Sequence, residues 1–306
     1  MTTSKHARST AAKPLAAAPR RFAKPRSARK STRRRAGLAG LWPSRGSRRR
    51  AASWLGRVSR GGRVLAAVGF AVVLWCFATL VYQVGKKPTA LFLPASGVLA
   101  KAPAETWRDY GPLFEHYSTR WVSPELLAAL AQVEGAGNPV AQTYWRWTPL
   151  AGPLDWYRPA SSAVGMFQIT NGTFAEAKRY CIRDHAVFEA ANSRGVCAWS
   201  GFYSRVIPAH AIELTSAYLD RTMVQILARR RMHHLAPGRA RELAAVIHLC
   251  GAGAGDEYVR RGARLAAGAR CGDHDAASYV ARVAAATRAF TALRGRRAQE
   301  SGSGGA

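Results

Sequence analysis

Residues 64–84 hold no charged side chain, and that one fact removes most of the folds open to the chain. The stretch includes Leu65, Phe70, Val72, Val73, Leu74, Trp75, Phe77, Leu80 and Val81. A helix rises about 1.5 Å per residue, so about twenty residues cross the hydrocarbon of a bilayer, and a soluble core helix seldom stays uncharged for that length. The stretch therefore predicts one transmembrane helix over residues 64–84, with Tyr82 suited to an interface. Arg45, Arg48, Arg49, Arg50, Arg57, Arg60 and Arg63 precede it, against Lys86, Lys87 and Lys101 after it. That asymmetry predicts a cytoplasmic N-terminus and an exported remainder. A cleaved signal peptide competes, with Ala100-Lys101-Ala102 as a distant small-residue site, but its charged leader and apolar run would be much shorter.

Charge separates the regions around the span. Residues 1–63 carry nineteen Lys or Arg and no Asp or Glu, which leaves about ten of the twenty-nine net positive charges for the rest. So basic a segment, rich in Ala, Ser, Pro and Gly, buries too little apolar surface to offset ordering, and is expected to be a disordered cytoplasmic tail. Its cations could meet anionic lipid headgroups or nucleic-acid phosphates. Only Phe22, Trp42 and Trp54 offer rings for base stacking, so lipid is the simpler partner and nucleic acid is not expected. Residues 85–104 read as a linker, 105–294 as one mainly α domain, and 295–306 as a Gly-rich flexible end. Helical periodicity marks 124–134, 173–181, 207–230, 239–250 and 276–294, and no stretch alternates as a strand. Thr173-Phe-Ala-Glu176 has the capping-box pattern and places a helix start just after Thr170.

Four cysteines, Cys181, Cys197, Cys250 and Cys271, lie beyond the span, besides Cys76 within it. Four allow three pairings. The sequential pairing closes two short loops, each worth about 3 kcal/mol in the chain-entropy model. Free buried thiols are one alternative. A zinc site is another, because His248-Leu-Cys250 and Cys271-Gly-Asp-His274 have usable spacing, although an oxidising compartment favours disulfides.

The candidate for chemistry is Glu134. It ends Pro124-Glu-Leu-Leu-Ala-Ala-Leu-Ala-Gln-Val-Glu134, with Ser123 as N-cap, Pro124 in the first helical position and Gly135 as the expected stop. Leu127, Leu130, Ala131 and Glu134 share one face at helical spacing. Burial and the helix C-terminus both disfavour negative charge there, as a proton donor requires. The competing reading is a solvated Glu at a frayed helix end.

Glu134 followed by Asn138-Pro139, then Gly165-Met166-Phe167-Gln168-Ile169, then Ala211-Ile-Glu-Leu214 through Tyr218-Leu219, resembles the lysozyme-like catalytic domain of the bacterial lytic transglycosylases. The resemblance covers about residues 105–290. The family usually has Glu-Ser, Gly-Leu-Met-Gln, and a later Ala-Tyr-Asn before a Gly-rich turn. Here Gly135 stands for the Ser, Met166-Phe167 for Leu-Met, and His248-Leu249 before Gly251-Ala-Gly253 is the counterpart of Tyr-Asn. The resemblance implies cleavage of the β-1,4 bond between N-acetylmuramic acid and N-acetylglucosamine in peptidoglycan, with Glu134 as acid and then base and no cofactor or metal. It implies a lyase on the periplasmic side of a bacterial inner membrane. Gly165 would let backbone approach a sugar, and Gln168 could hydrogen-bond its hydroxyls. Tyr144, Trp145, Trp147 and Tyr157, in an insertion between the motifs, could stack on sugars, or fill a core. His248 could position Glu134 or be a core histidine. Asp155, Asp184, Asp256 and Glu257 are read as surface or capping groups. A non-catalytic wall binder and a hydrolytic muramidase on the same fold are the alternatives.

Overall fold

The computed structural model describes residues 59–88, 98–148, 150–192, 195–198 and 200–303. Nearly all of the basic tail and the middle of the linker lie outside the described residues. Among the described residues the first helix, α1 (Arg60–Lys86), contains the whole uncharged stretch. Its apolar side chains face outward: Leu65 is 74% exposed, Phe70 65% and Phe77 63%, the reverse of a soluble core helix. It is long and apolar enough to cross a membrane.

The remaining helices are α2 (Pro103–His116), α3 (Pro124–Gly135), α4 (Asn171–Ala177), α5 (Pro208–Arg229), α6 (Pro237–Arg260) and α7 (Ala276–Ser303). The fold is mainly α, as expected. At its centre runs α3, started by Ser123, whose hydroxyl accepts from the Leu126 N–H at 3.3 Å. Leu126 to Ala131 are all 0% exposed, so this helix is apolar on every side and not along a single stripe. Its neighbours α2, α5 and α7 enclose it. Burying Leu126, Leu127 and Leu130 contributes about 2 kcal/mol each, which drives the helix through the core and fixes where its last turn emerges.

Three two-stranded antiparallel hairpins depart from the expectation of no strands: β1 (Trp145–Trp147) with β2 (Tyr157–Pro159), β3 (Tyr180–Arg183) with β4 (Ala186–Glu189), and β5 (Arg270–Cys271) with β6 (His274–Asp275). Strands of two to four residues are too short for alternation to register. The expected helix at 173–181 therefore ends at Ala177, and Tyr180 begins β3. Asp184 and His185 both have positive φ, 48° and 62°, the pattern of a two-residue hairpin turn. The buried Glu213 carboxylate of α5 accepts the Ile182 N–H at 2.8 Å and holds this hairpin to the core. Thr170, not Thr173, caps α4, with its hydroxyl accepting from the Thr173 N–H. The helix α2 was not among the expected helices; Pro103 occupies its first turn, where proline's missing donor is harmless, and Pro112 lies within it. Helix α7 runs on to Ser303, past the flexible end expected from residue 295.

Candidate active site

After the fully buried run, Glu134 is the last side chain of α3 before its turn, and it remains 17% exposed. The helix ends through Ala136, whose φ is 49°. The Ala136 N–H donates to Gln132 O and the Gly137 N–H to Ala131 O, both at 3.0 Å, the paired bonds of a left-handed helix end. Gly135, expected as the stop, is instead the last helical residue. A Cβ there would lie 2.8 Å from Met166 Cα and 3.0 Å from Met166 O, so its bareness lets the helix end touch the Gly165–Met166 backbone. Restoring the family's Ser as Gly135→Ser should lower unfolding stability by about 1–3 kcal/mol, measured by denaturant titration, because the contact is backbone and cannot swing aside.

The Gly165 to Gln168 turn is set just as tightly. Gly165 has φ 82°, and a Cβ on it would meet Arg205 O at 2.3 Å. Met166 and Phe167 are both 0% exposed and anchor the turn in the core, so of these two expected substrate contacts only backbone can border a ligand. Gln168 adopts φ 46° and its Nε2 donates to Gly165 O at 2.9 Å and Ala141 O at 3.3 Å. Its amide donor thus closes the turn, and the amide oxygen is left for a ligand.

Two side chains from distant segments reach the carboxylate. The Tyr279 hydroxyl, on α7, donates to Glu134 Oε1 at 2.5 Å. His248 Nε2, on α6, lies 3.6 Å from the same oxygen, too far for a hydrogen bond but close enough to feel its charge. Burial, then the Glu134 charge, push the Tyr279 phenol well above its usual range, so it keeps its proton and stays a donor. Burial pushes His248 below its ordinary value, and the nearby Glu134 and Phe167 carbonyl only partly oppose this. Gln168 and His248 line one cavity of about 40 Å³ with Thr173, Leu214 and Tyr218, room for a substituent and not for a sugar ring.

Tyr279 was missed in the sequence. With Val283, Thr287 and Phe290 it forms the buried stripe of α7, and a tyrosine on such a stripe looks like any core aromatic. The cysteines carry the signal that could have found it. Cys250–Cys271 is a disulfide, as is Cys181–Cys197, with Cα–Cα distances of 5.3 and 5.5 Å. These bonds occupy the thiols that the zinc reading needed. Cys250 follows His248 by two residues, at the break in α6 where Gly251 has φ 82°. Cys271 lies in β5, whose partner β6 leads directly into α7, where Asp275 accepts the Ser278 N–H. One covalent bond therefore ties together the helix ends that carry His248 and Tyr279. Replacing both Cys250 and Cys271 by Ser should cost about 3 kcal/mol of stability and lower activity more than the Cys181/Cys197 double variant, as compared by melting and turnover of the two proteins.

The insertion aromatics gather on the β1–β2 hairpin. Register pairs Trp147 with Tyr157, and the Tyr157 ring lies 5.2 Å from that of Trp145 and 5.1 Å from that of Trp147. Tyr144 and Trp147 are 64% and 65% exposed, so these rings are surface and not core. The hairpin is rooted beside the Gln168 turn, where Gln142 bridges Val164 and the Gly165 N–H donates to Ala141 O. Among the described residues the hydrogen-bond and ion-pair partners found for Glu134 are Tyr279 and His248, not these rings. Asp155, Asp256 and Glu257 are each paired with lysine or arginine away from Glu134.

Residues 112–246 match the family described as the Transglycosylase SLT domain. The match starts in α2 and ends two residues before His248, so it takes in α3 and the Gly165 to Gln168 turn while Tyr279 lies beyond it. No curated protein matches the chain.

Proposed function

We propose that the transglycosylase SLT domain carried by this chain, an enzyme domain whose substrate is peptidoglycan, cuts the bond between N-acetylmuramic acid and N-acetylglucosamine without water and leaves a 1,6-anhydro end. The observation that carries this reading is a carboxylate clasped by a buried phenol next to the Gly165 to Gln168 turn: Glu134 receives the Tyr279 hydroxyl, and Glu134 lies within the match to the transglycosylase SLT domain. A two-carboxylate hydrolase needs a second acid at a fixed separation across the sugar, whereas a single carboxyl suffices if the substrate supplies the rest.

The proposed steps balance without a cofactor. The Glu134 carboxyl gives its proton to the bridging oxygen as the bond from muramic C1 to that oxygen breaks. The 2-acetamido carbonyl of the substrate stabilises C1. The resulting Glu134 carboxylate then takes the proton of the C6 hydroxyl as O6 bonds to C1, which closes the anhydro ring and restores the acid. Tyr279, held protonated, fixes Oε1 and leaves Oε2 for the sugar. His248, disposed to neutrality by burial, adds no permanent charge beside the carboxyl. The Gln168 amide oxygen and the backbone of Gly165, Met166 and Phe167 border the sugars, and Tyr144, Trp145, Trp147 and Tyr157 extend the platform for the strand.

In this reading the chain is a single-pass protein of a bacterial inner membrane, N-terminus inside, with the catalytic domain in the periplasm. The apolar α1 and the two disulfides beyond it support that placement. Incubating the purified chain with isolated sacculi tests the enzymatic proposal: soluble fragments bearing anhydro ends are expected, and binding without release would favour a wall-binding role.

A further inference from the structure

Where α1 leaves its apolar run, a second cavity of about 250 Å³ opens between the helix end, the β1–β2 hairpin and the Ser161–Ser162 segment. Four cations line it: Lys86, Lys87, Arg158 and Arg205, with Asp155 as the one carboxylate. Asp155 is already held by Gln83 Nε2 at 3.0 Å and Lys86 at 3.4 Å. Lys87 Nζ donates only to carbonyls, Ser161 O at 3.2 Å and Ala163 O at 2.9 Å. Arg205 likewise donates to the carbonyls of Ser162 and Ile169, both at 2.9 Å. Neither has an anionic partner among the described residues, and the linker segment 88–104 contains no Asp or Glu to supply one. Burial and the nearby Arg205 charge hold Lys87 down to about 8, as expected of half-buried cations facing each other.

The level of this cavity is fixed by α1. Lys86 and Lys87 directly follow the uncharged run, where phosphates border the hydrocarbon. On the membrane side of the cavity the hairpin runs along α1 as far as Trp75, whose ring meets Trp156 edge-on at 5.6 Å. The hairpin turn exposes Leu150 fully and Trp147 by 65%, so the hairpin that lies against the uncharged run presents apolar side chains on its outer side.

We propose that the cavity between Lys86, Lys87, Arg158 and Arg205 binds the phosphate of an anionic phospholipid from the exported leaflet, and so seats the catalytic domain on the membrane surface. The seat rests on α1 spanning the bilayer and is independent of the reaction the domain performs. It differs from any lipid contact of the basic tail, which lies at the other end of α1.

Native mass spectrometry of the full chain in mild detergent, titrated with phosphatidylglycerol or with phosphatidylcholine of the same acyl chains, tests the site. The wild type should retain phosphatidylglycerol over phosphatidylcholine, and the Lys87→Gln/Arg158→Gln variant should bind it about tenfold more weakly. Arg158→Gln alone should show a smaller loss without risk to the fold, because the Arg158 side chain donates no hydrogen bond among the described residues. Arg264→Gln/Arg288→Gln, removing two exposed charges elsewhere, should bind as the wild type does. The tail is common to all these proteins, so its contribution cancels. Equal retention of the two lipids, equal binding by both double variants, or displacement of phosphatidylglycerol from the wild type by millimolar inorganic phosphate would each overturn the assignment.

Discussion

Glu134→Gln should abolish digestion of sacculi, with a rate loss of about a thousandfold and no change in melting temperature beyond a degree or two. The substitution keeps the shape of the side chain and still offers an oxygen to the Tyr279 hydroxyl, which donates to Oε1. It removes the one proton that the leaving sugar oxygen requires. The position tolerates the change structurally because Glu134 is the point where α3 leaves the core: the buried run ends at Ala131, and the carboxylate supports no ion pair with lysine or arginine. Clearance of a sacculus suspension at several enzyme concentrations, alongside thermal melts, measures both quantities. A variant that clears as fast as the wild type would remove Glu134 from the chemistry and return the wall-binding alternative to first place.

Tyr279→Phe should lower kcat by about ten- to a hundredfold while leaving KM nearly unchanged, and should cost about 1 kcal/mol of stability. The ring stays packed in the α7 stripe, so the loss is confined to the hydroxyl. Without it, Oε1 keeps only His248 at 3.6 Å, and the carboxyl is free to rotate away from the scissile oxygen. A purely structural tyrosine would give the opposite split, with stability falling and turnover per folded molecule unchanged. Because burial and the Glu134 charge hold the phenol well above its usual range, its donor role should persist across the whole working range.

Different parts of this design were legible to different degrees. The uncharged run of α1 was plain, because a soluble core helix seldom stays uncharged for that length. Glu134 and Gln168 were readable because each sits in a local pattern: a carboxyl ending an apolar helix, and a Gly-x-x-Gln turn. The sequential cysteine pairing was one of three open connectivities, beside zinc and free thiols, and the geometry selected it. Tyr279 was invisible for the opposite reason, since it lies 145 residues from Glu134 in sequence and only tertiary packing joins them. His248 was read as the counterpart of the family tyrosine; it does stand by Glu134, yet the phenol that hydrogen-bonds the carboxylate comes from α7. Gly135 shows how a local rule can mislead: a glycine at a helix end reads as a stop, but here Ala136 takes the left-handed turn and Gly135 serves a backbone contact. The three hairpins escaped because their pairing depends on turns and a disulfide and not on alternation.

The most direct test of the central claim is the mass of the muropeptides released from isolated sacculi by the purified chain. A single carboxyl that returns its proton through O6 predicts 1,6-anhydro ends, each about 18 Da lighter than the corresponding hydrolytic product, because water is not consumed. Fragments with free reducing ends would contradict it, and would mean that Glu134 works with a water and a second acid.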